Sequence, residues 1–335
     1  MILRPVSALR DWMGALLEAL GMESDAAARS ARRLLRADEF GIHTHGLARF
    51  PTYVRQLQTG GLKPRPRIVS QAEAGVVTVD ADRAFGPLAA ELAVEAAVGH
   101  LSDERAFVPF IIRNAGHLGA LGTHVHPVAA QGLVAFLSQN TQPVMAPAGS
   151  RGAAIGNNPI AFAATRSERA PFLLDMSNSV VALSQVLNAG RDGRTIPEGW
   201  AIDASGAVTT DPWSALRGAM LPAGGHKGIG LAMLVQVMAG VLSSSVPDET
   251  FTSAAPGTGA FGFVVDPFRI APTYHALMES WTERYLGAAG GIARIPGDRI
   301  PERVLKAEQQ GIPIDDALVD ELSILGRELQ LVFPA

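Results

Sequence analysis

Phe107-Val108-Pro109-Phe110-Ile111-Ile112-Arg113-Asn114-Ala115-Gly116-His117-Leu118-Gly119 is the stretch on which the reading of this chain turns. Its first six residues are apolar, and the run is short. It stops at a polar, glycine-bearing segment, which reads as a strand buried on both faces. The polar continuation sets an imidazole just past the C-terminal end of a central strand. Open α/β sheets bind their ligands in that position.

The surroundings support a sheet. Gly75 to Asp80 reads as a strand, and Pro87 to Leu101 as an Ala-rich helix. A helix over Val125 to Gln131 precedes a strand over Leu133 to Leu137. Ile160 to Ala164 and Pro171 to Leu174 are further strands. Strands alternating with helices predict an α/β domain. The first 60 residues differ. Ala8 to Leu20 has helical spacing and stops at Gly21. Ser24-Asp25 is placed to cap a second helix running through Phe40. Gly46 to Gln58 forms a third, ended by Gly60-Gly61. Residues 62–70, with Pro64 and Pro66, read as an extended linker. Pro301 to Gln310 and Ala317 to Leu329 return to helix and are expected to pack on the N-terminal helices. The expected division is 1–70 plus 300–335 as a helical domain and 71–299 as an α/β domain that binds cofactor and substrate.

Composition narrows the class. Of 335 residues, 47% are hydrophobic but only 6% aromatic, so Leu, Val, Ile and Ala must fill the core. A net charge of −4 argues against a nucleic-acid or membrane-surface partner. The chain has no cysteine, which removes disulfides, iron–sulfur clusters, thiolate zinc and a thiol nucleophile. The cytoplasm fits this composition. Arg10, Asp11 and Glu18 interrupt the segment where a secretory signal would be apolar. Leu231 to Leu242, broken by Gln236, is too short to span a bilayer and reads as a buried helix.

Four polar islands stand out: His43-Thr44-His45-Gly46, Gly116-His117-Leu118-Gly119, Asp175-Met176-Ser177 and Gly224-Gly225-His226-Lys227-Gly228. Histidine titrates near neutral pH. A glycine turn ending in Lys227 before an apolar helix offers backbone N–H groups and a cation to an anion. The combination suggests proton transfer beside a phosphate-bearing molecule. Arg49 and Tyr53 follow His45 at helical spacing, so an imidazole, a guanidinium and a phenol share one face. Such a set suits binding a carboxylate and protonating a neighbouring oxygen. Asn140-Thr141 and Asp175 follow strands and are expected to line the same crevice. His43, His45, His117, His124 and His126 lack acidic partners at ligand spacing, and no catalytic metal is expected. Gly257-Thr258-Gly259-Ala260-Phe261-Gly262 fits G-x-G-x-x-G but precedes a strand instead of following one, so it is not a dinucleotide fingerprint. Arg29, Arg32, Arg33 and Arg36 form a basic stripe, read as a solvated or intersubunit face.

In their order and spacing these segments resemble the malate/L-lactate dehydrogenase type 2 family of NAD(P)-dependent oxidoreductases. The resemblance runs from Asp38–Gly61 through Gly156-Asn157-Asn158-Pro159, Asp175 to Ser179, Pro197 to Trp200, Thr209 to Pro212 and Leu221 to Leu231, ending with Ile295-Pro296-Gly297-Asp298. It implies a non-Rossmann, mixed-sheet α/β fold, NAD or NADP as cofactor, a small carboxylate substrate and a homodimer. Thr44-His45-Gly46 corresponds to the family's Ser-His-Gly, and Arg49 to its following arginine. His117-Leu118-Gly119 corresponds to its His-Phe-Gly, whose histidine is an acid/base candidate. Thr44, His45, Arg49, His117 and Asp175 are thereby the catalytic candidates. His117, Gly119, Asn140, Thr141, Asp175, Met176, Ser177, Lys227, Gly297 and Arg299 are the cofactor candidates. The expected reaction moves a hydride between nicotinamide and C2 of a small 2-oxo or 2-hydroxy acid. Thr44, Leu118 and Asn157 depart from the family pattern. They leave the substrate open and motivate one alternative, a catalytically silent relative; His226 points to the other, a reductase of a cyclic 2-imino acid.

Overall fold

The computed structural model describes residues 1–245 and 258–334. Its centre is a seven-stranded sheet. In spatial order the strands are Val69–Glu73, Val76–Asp80, Phe107–Ala115, Thr258–Val265, Val134–Gln139, Ile160–Arg166 and Arg169–Met176. Only Val76–Asp80 and Phe107–Ala115 pair in parallel; the other neighbours are antiparallel. The sheet is therefore mixed. Its directions bring the C-terminal ends of Phe107–Ala115, Val134–Gln139 and Arg169–Met176 to one edge, beside the start of Thr258–Val265. The polar segments that follow these strands converge there because of that alternation.

The expected strand through Ile112 continues to Ala115, and its Val108, Phe110 and Ile112 are fully buried. They pack with Val77, Val79 and the alanines of the Gly86–Gly99 helix. Small residues on that helix let it lie close to the sheet. The stretch read as a linker ends in an exposed edge strand, Val69–Glu73. A second sheet of five short strands, the longest Pro143–Met145, stands apart with its own small apolar core around Val186 and Met220. None of it was expected: four of its strands are two residues long, too short for a periodic signal.

The Val6–Ala19, Ser24–Glu39 and Phe50–Gln58 helices share a core with the chain's far end. Leu9, Trp12, Leu16 and Phe50 pack with Ile312, Ile314, Leu322 and Phe333. Ile2–Arg4 pairs antiparallel with Ile312–Ile314. Trp12 meets Phe333 edge to face at 5.0 Å.

Two sequence readings are corrected. The basic stripe is not a solvated face. Arg29 and Arg33 reach across to Glu91, whose side chain is 2% exposed, on the Gly86–Gly99 helix. Burial alone would raise the Glu91 carboxyl. The hydrogen bond from Arg33 and the charges of Arg33, Arg29 and Arg32 outweigh it and hold that carboxyl below its ordinary range. The apolar stretch after Lys227 is not buried either. It forms the His226–Val235 helix and a π-helical turn, Gln236–Val241. Its inward residues are small, among them Ala232, Ala239 and Gly240. Leu231, Met233, Leu234, Val237, Val241 and Leu242 are exposed. The approach to the sheet is too close for them: a Cβ on Gly259 would lie 2.2 Å from the Ala239 carbonyl oxygen. The Gly257 to Gly262 motif is described from Thr258 onward, where it is strand. Gly257 and the preceding loop lie outside the described residues.

Candidate active site

Where the strand ends meet, the structure opens a cavity of about 540 Å³ between the sheet edge and the N-terminal helices. That size suits a small-molecule site. Its lining includes Thr44, His45, Arg49, Gly119, His117, Thr141, Asp175, Met176 and Ser177.

The first bank is not the continuous helix expected from Gly46. Two 3-10 turns, His43–His45 and Leu47–Arg49, precede the Phe50–Gln58 helix. The break falls at Gly46, where a Cβ would lie 1.9 Å from the Asp38 carboxylate. Asp38 is buried. It accepts from Leu47 N–H at 2.6 Å and from His43 Nδ1 at 3.1 Å, tying the turns to the Ser24–Glu39 helix. Burial raises its carboxyl pKa despite these bonds. His45 and Arg49 still face the cavity together. The Thr44 hydroxyl is 2.9 Å from His45 Nδ1.

His117 meets this bank from the sheet side. Its ring stacks on that of His45, centroids 5.8 Å apart and planes 27° apart. Gly119 N–H donates to His117 Nδ1 at 3.1 Å, and the buried Tyr53 hydroxyl lies 2.9 Å from the same nitrogen. A backbone N–H can only donate. Nδ1 is therefore unprotonated, and the neutral ring carries its hydrogen on Nε2. Burial, then the positive charge of Arg49 and the neighbouring His45, push the His117 pKa well below 6.5. Burial and Arg49 lower His45 to about 4. Burial raises the Tyr53 phenol, which stays protonated. Both imidazoles are neutral at pH 7.

On the opposite bank, Asp175 closes the Arg169–Met176 strand and accepts from Gly122 N–H at 2.8 Å, at the start of the Gly122–Ala129 helix. Burial outweighs that bond and raises its pKa to about 6. Thr141 is fixed from below. Asn158, fully buried at φ +35°, accepts from Thr141 N–H at 2.9 Å and donates to Ala232 O. Asn157, one of the departures from the family pattern, accepts from the Thr141 hydroxyl at 2.9 Å.

Four of the expected cofactor residues lie outside the cavity lining. Asn140 is fully buried and spends its side chain on Ser245 O and Gly259 N–H. Gly297 packs on the strand below, since a Cβ there would lie 2.3 Å from Pro171 O. Lys227 and Arg299 are exposed, as is His226. His43 is half-exposed beside Asp38, while His124 and His126 are buried. Among the described residues, no three His, Asp or Glu side chains gather as a metal site.

Among the lining residues that the sequence did not single out, Gln139 and Arg83 bear on the chemistry. Gln139 is the last residue of a strand and fully buried. Arg83 sits in the turn after Val76–Asp80, at φ +61°, and donates to Gly60 O. Nothing in local spacing marks either one, because each joins the site through contacts across the fold.

Comparison with known proteins agrees with this geometry. Residues 5–323 match the model of the malate/L-lactate dehydrogenase family. The (2R)-3-sulfolactate dehydrogenase (NADP(+)) of Chromohalobacter salexigens is 34% identical over 92% of this chain and 93% of its own. The Δ1-pyrroline-2-carboxylate/Δ1-piperideine-2-carboxylate reductase of Pseudomonas putida is 33% identical, covering 93% of each. The crystal structure of Δ1-piperideine-2-carboxylate reductase from Pseudomonas syringae pvar. tomato superposes with a TM-score of 0.87 at 31% identity, over 97% of this chain and 100% of that one. A buried acid/base cluster at the edge of a mixed sheet and a match over nearly the whole length lead to one assignment: the chain belongs to the malate/L-lactate dehydrogenase family and is an NAD(P)-dependent oxidoreductase.

Proposed function

We propose that this enzyme reduces a small 2-oxo acid bearing a second anionic group, or oxidises the matching 2-hydroxy acid. The observation that carries the reading is the pair of guanidinium groups in one cavity. Arg49 and Arg83 both line it; among the described residues neither makes a salt bridge within 4.0 Å, although the adjacent Asp82 carboxyl, which Lys63 holds, is lowered by the Lys63 hydrogen bond and in part by the Arg83 charge. Asp175 is the single acidic lining residue, on the opposite bank. A guanidinium recognises a carboxylate or sulfonate through parallel N–H donors. Arg49, beside both imidazoles, takes the C1 carboxylate; Arg83 takes the distal anion.

The lining fits a nicotinamide cofactor. Gly119, Thr141, Met176 and Ser177 offer backbone, hydroxyl and apolar contacts along the sheet bank, and Asp175 offers a carboxylate acceptor. The cofactor supplies the hydride. The rest belongs to this chain. His45 gives the oxygen on C2 its proton in reduction and removes it in oxidation. His117 holds its hydrogen on Nε2 and donates a hydrogen bond to the same oxygen. The Nδ1 bond from Gly119 makes His117 a fixed donor and leaves proton transfer to His45. A neutral His45 is ready to act as the base. The bound substrate carboxylate offsets Arg49 and favours the protonated ring that reduction requires. Thr44 orients His45 through Nδ1.

Initial rates with NADH and NADPH, measured against pyruvate, oxaloacetate, sulfopyruvate and Δ1-piperideine-2-carboxylate, test the reading. Oxaloacetate or sulfopyruvate should exceed pyruvate in kcat/KM by about tenfold or more, and Arg83→Leu should erase most of that margin, since a charge-assisted pair contributes about 1.5–3 kcal/mol. Turnover with the cyclic imine alone would replace the reading with the reductase activity named for the Pseudomonas putida relative. Binding of cofactor without turnover of any of the four would point to a silent relative. We further propose a homodimer, supported by the apolar outer face of the His226–Val235 helix.

A further inference from the structure

We infer that Gln139 is a positioning residue that sets the place of His117 by clamping the backbone on both sides of it. This rests on the reading of His117 as a fixed donor to substrate. The clamp itself is visible without that reading. Gln139 Oε1 accepts from Leu118 N–H at 3.1 Å, and Gln139 Nε2 donates to Gly116 O at 3.2 Å. One side-chain amide thus spans the residue between them. Its orientation is dictated, because Leu118 N–H can only donate and Gly116 C=O can only accept. Nε2 also donates to the Thr258 hydroxyl at 2.6 Å, fixing the amide to the neighbouring strand.

The rest of the loop leaves this job to Gln139. His124 Nε2 bonds Leu118 O at 2.9 Å, Tyr53 bonds His117 O at 3.1 Å, and Gly116 N–H donates to Ala84 O at 3.3 Å. Leu118 N–H depends on the Gln139 amide, and the Gly116 carbonyl takes its shorter bond from it, the Thr258 hydroxyl that Gln139 itself holds lying farther off at 3.4 Å. Gln139 is wholly buried at the end of a central strand, where an amide without partners is costly. Only a residue with a donor and an acceptor on one planar group satisfies both bonds. The amide therefore transmits the rigidity of the sheet to the imidazole, and the Nδ1 bond from Gly119 N–H then fixes its tautomer.

Two substitutions separate a clamp from mere filling of space. Gln139→Leu removes both bonds. Gln139→Glu keeps shape and acceptor, but the second oxygen can bond Gly116 O only while it carries a proton. Histidine-labelled 15N spectra of the full chain, with the His117 signal assigned by its loss in His117→Gln, read the ring directly. In the wild type at pH 7, His117 should show an unprotonated Nδ1 and a protonated Nε2. In Gln139→Glu that pattern should hold at low pH and give way as pH rises, with a transition absent from the wild type. In Gln139→Leu it should be lost at every pH. A wild-type His117 pattern in both variants across the pH range overturns the inference. If Gln139→Leu does not fold, the pH-dependent arm of Gln139→Glu decides alone. The kinetic readout is separate: kcat with the best substrate of the panel should fall about tenfold or more in Gln139→Leu, because small misplacements of a reacting group cost up to about 10²-fold. The Kd for NAD(P)H should stay within about threefold. Loss of the His117 pattern without turnover of any substrate would uphold the clamp and reject the proposed reaction.

Discussion

A single buried carboxyl connects the structure to a measurable ionisation. Asp175 has a pKa near 6 in the free enzyme, raised by burial above the ordinary 3.8. It faces the cavity from the sheet bank, where the cofactor is proposed to lie. Above about pH 6 it is a charged acceptor, and below it the acceptor is lost. kcat/KM should therefore rise with pH through an apparent pKa near 6, and Asp175→Asn should remove that inflection while lowering the plateau. A profile unchanged by Asp175→Asn would detach this residue from the site. The sign follows from the shift. Folding favours the protonated form, so the ionised Asp175 that the reading needs is bought at a small expense in stability at neutral pH. Such a carboxyl, held against its solvation preference in the same cavity as two neutral imidazoles, is characteristic of a working site.

At the scale of elements, Glu91 joins the helical layer to the sheet layer. Its carboxylate receives Arg33 at 2.9 Å and Arg29 at 3.4 Å from the Ser24–Glu39 helix. Glu91→Gln would leave two guanidinium groups, each 20% exposed, facing a neutral amide. Removing one partner of a buried pair costs about 3–5 kcal/mol; partial exposure of the arginines reduces this to about 2–4 kcal/mol. Denaturant titration should show the midpoint falling with little change in slope. Arg32 is 53% exposed, and Arg32→Ala should cost no more than about 1 kcal/mol. A Glu91→Gln midpoint equal to wild type would mean that the apolar contacts between the layers hold them alone. The sequence showed the four arginines at helical spacing but not the carboxylate that Arg29, Arg32 and Arg33 meet, which lies 58 residues along the chain from Arg33.

At the scale of the whole molecule, the exposed apolar helix face is the feature a lone subunit does not explain. Leu231, Met233, Leu234, Val237, Val241 and Leu242 are 38–57% exposed on successive turns. Contiguous apolar surface of this kind marks an interface, and closed two-fold pairs are the commonest oligomers. Light scattering should give twice the 35.2 kDa chain mass, and Leu234→Asp with Val237→Asp should shift it towards one chain. A wild type that scatters as a single chain removes the dimer.

Much of this protein was legible in its residues. Apolar runs of strand length, an Ala-rich helix and glycine stops gave the α/β class, because those patterns arise from local sterics and periodicity. His45, Arg49, His117 and Asp175 were recognisable because protonatable and charged groups at strand ends and turns are uncommon in an apolar chain. The tertiary structure alone decided which of the candidates share a cavity. It left Lys227, Gly297, Arg299 and Asn140 outside the lining and brought in Gln139 and Arg83. It also turned the apolar helix outward. These outcomes depend on which strands pair and how closely a helix approaches the sheet, and both are set by contacts between residues far apart in the chain, which local spacing does not record.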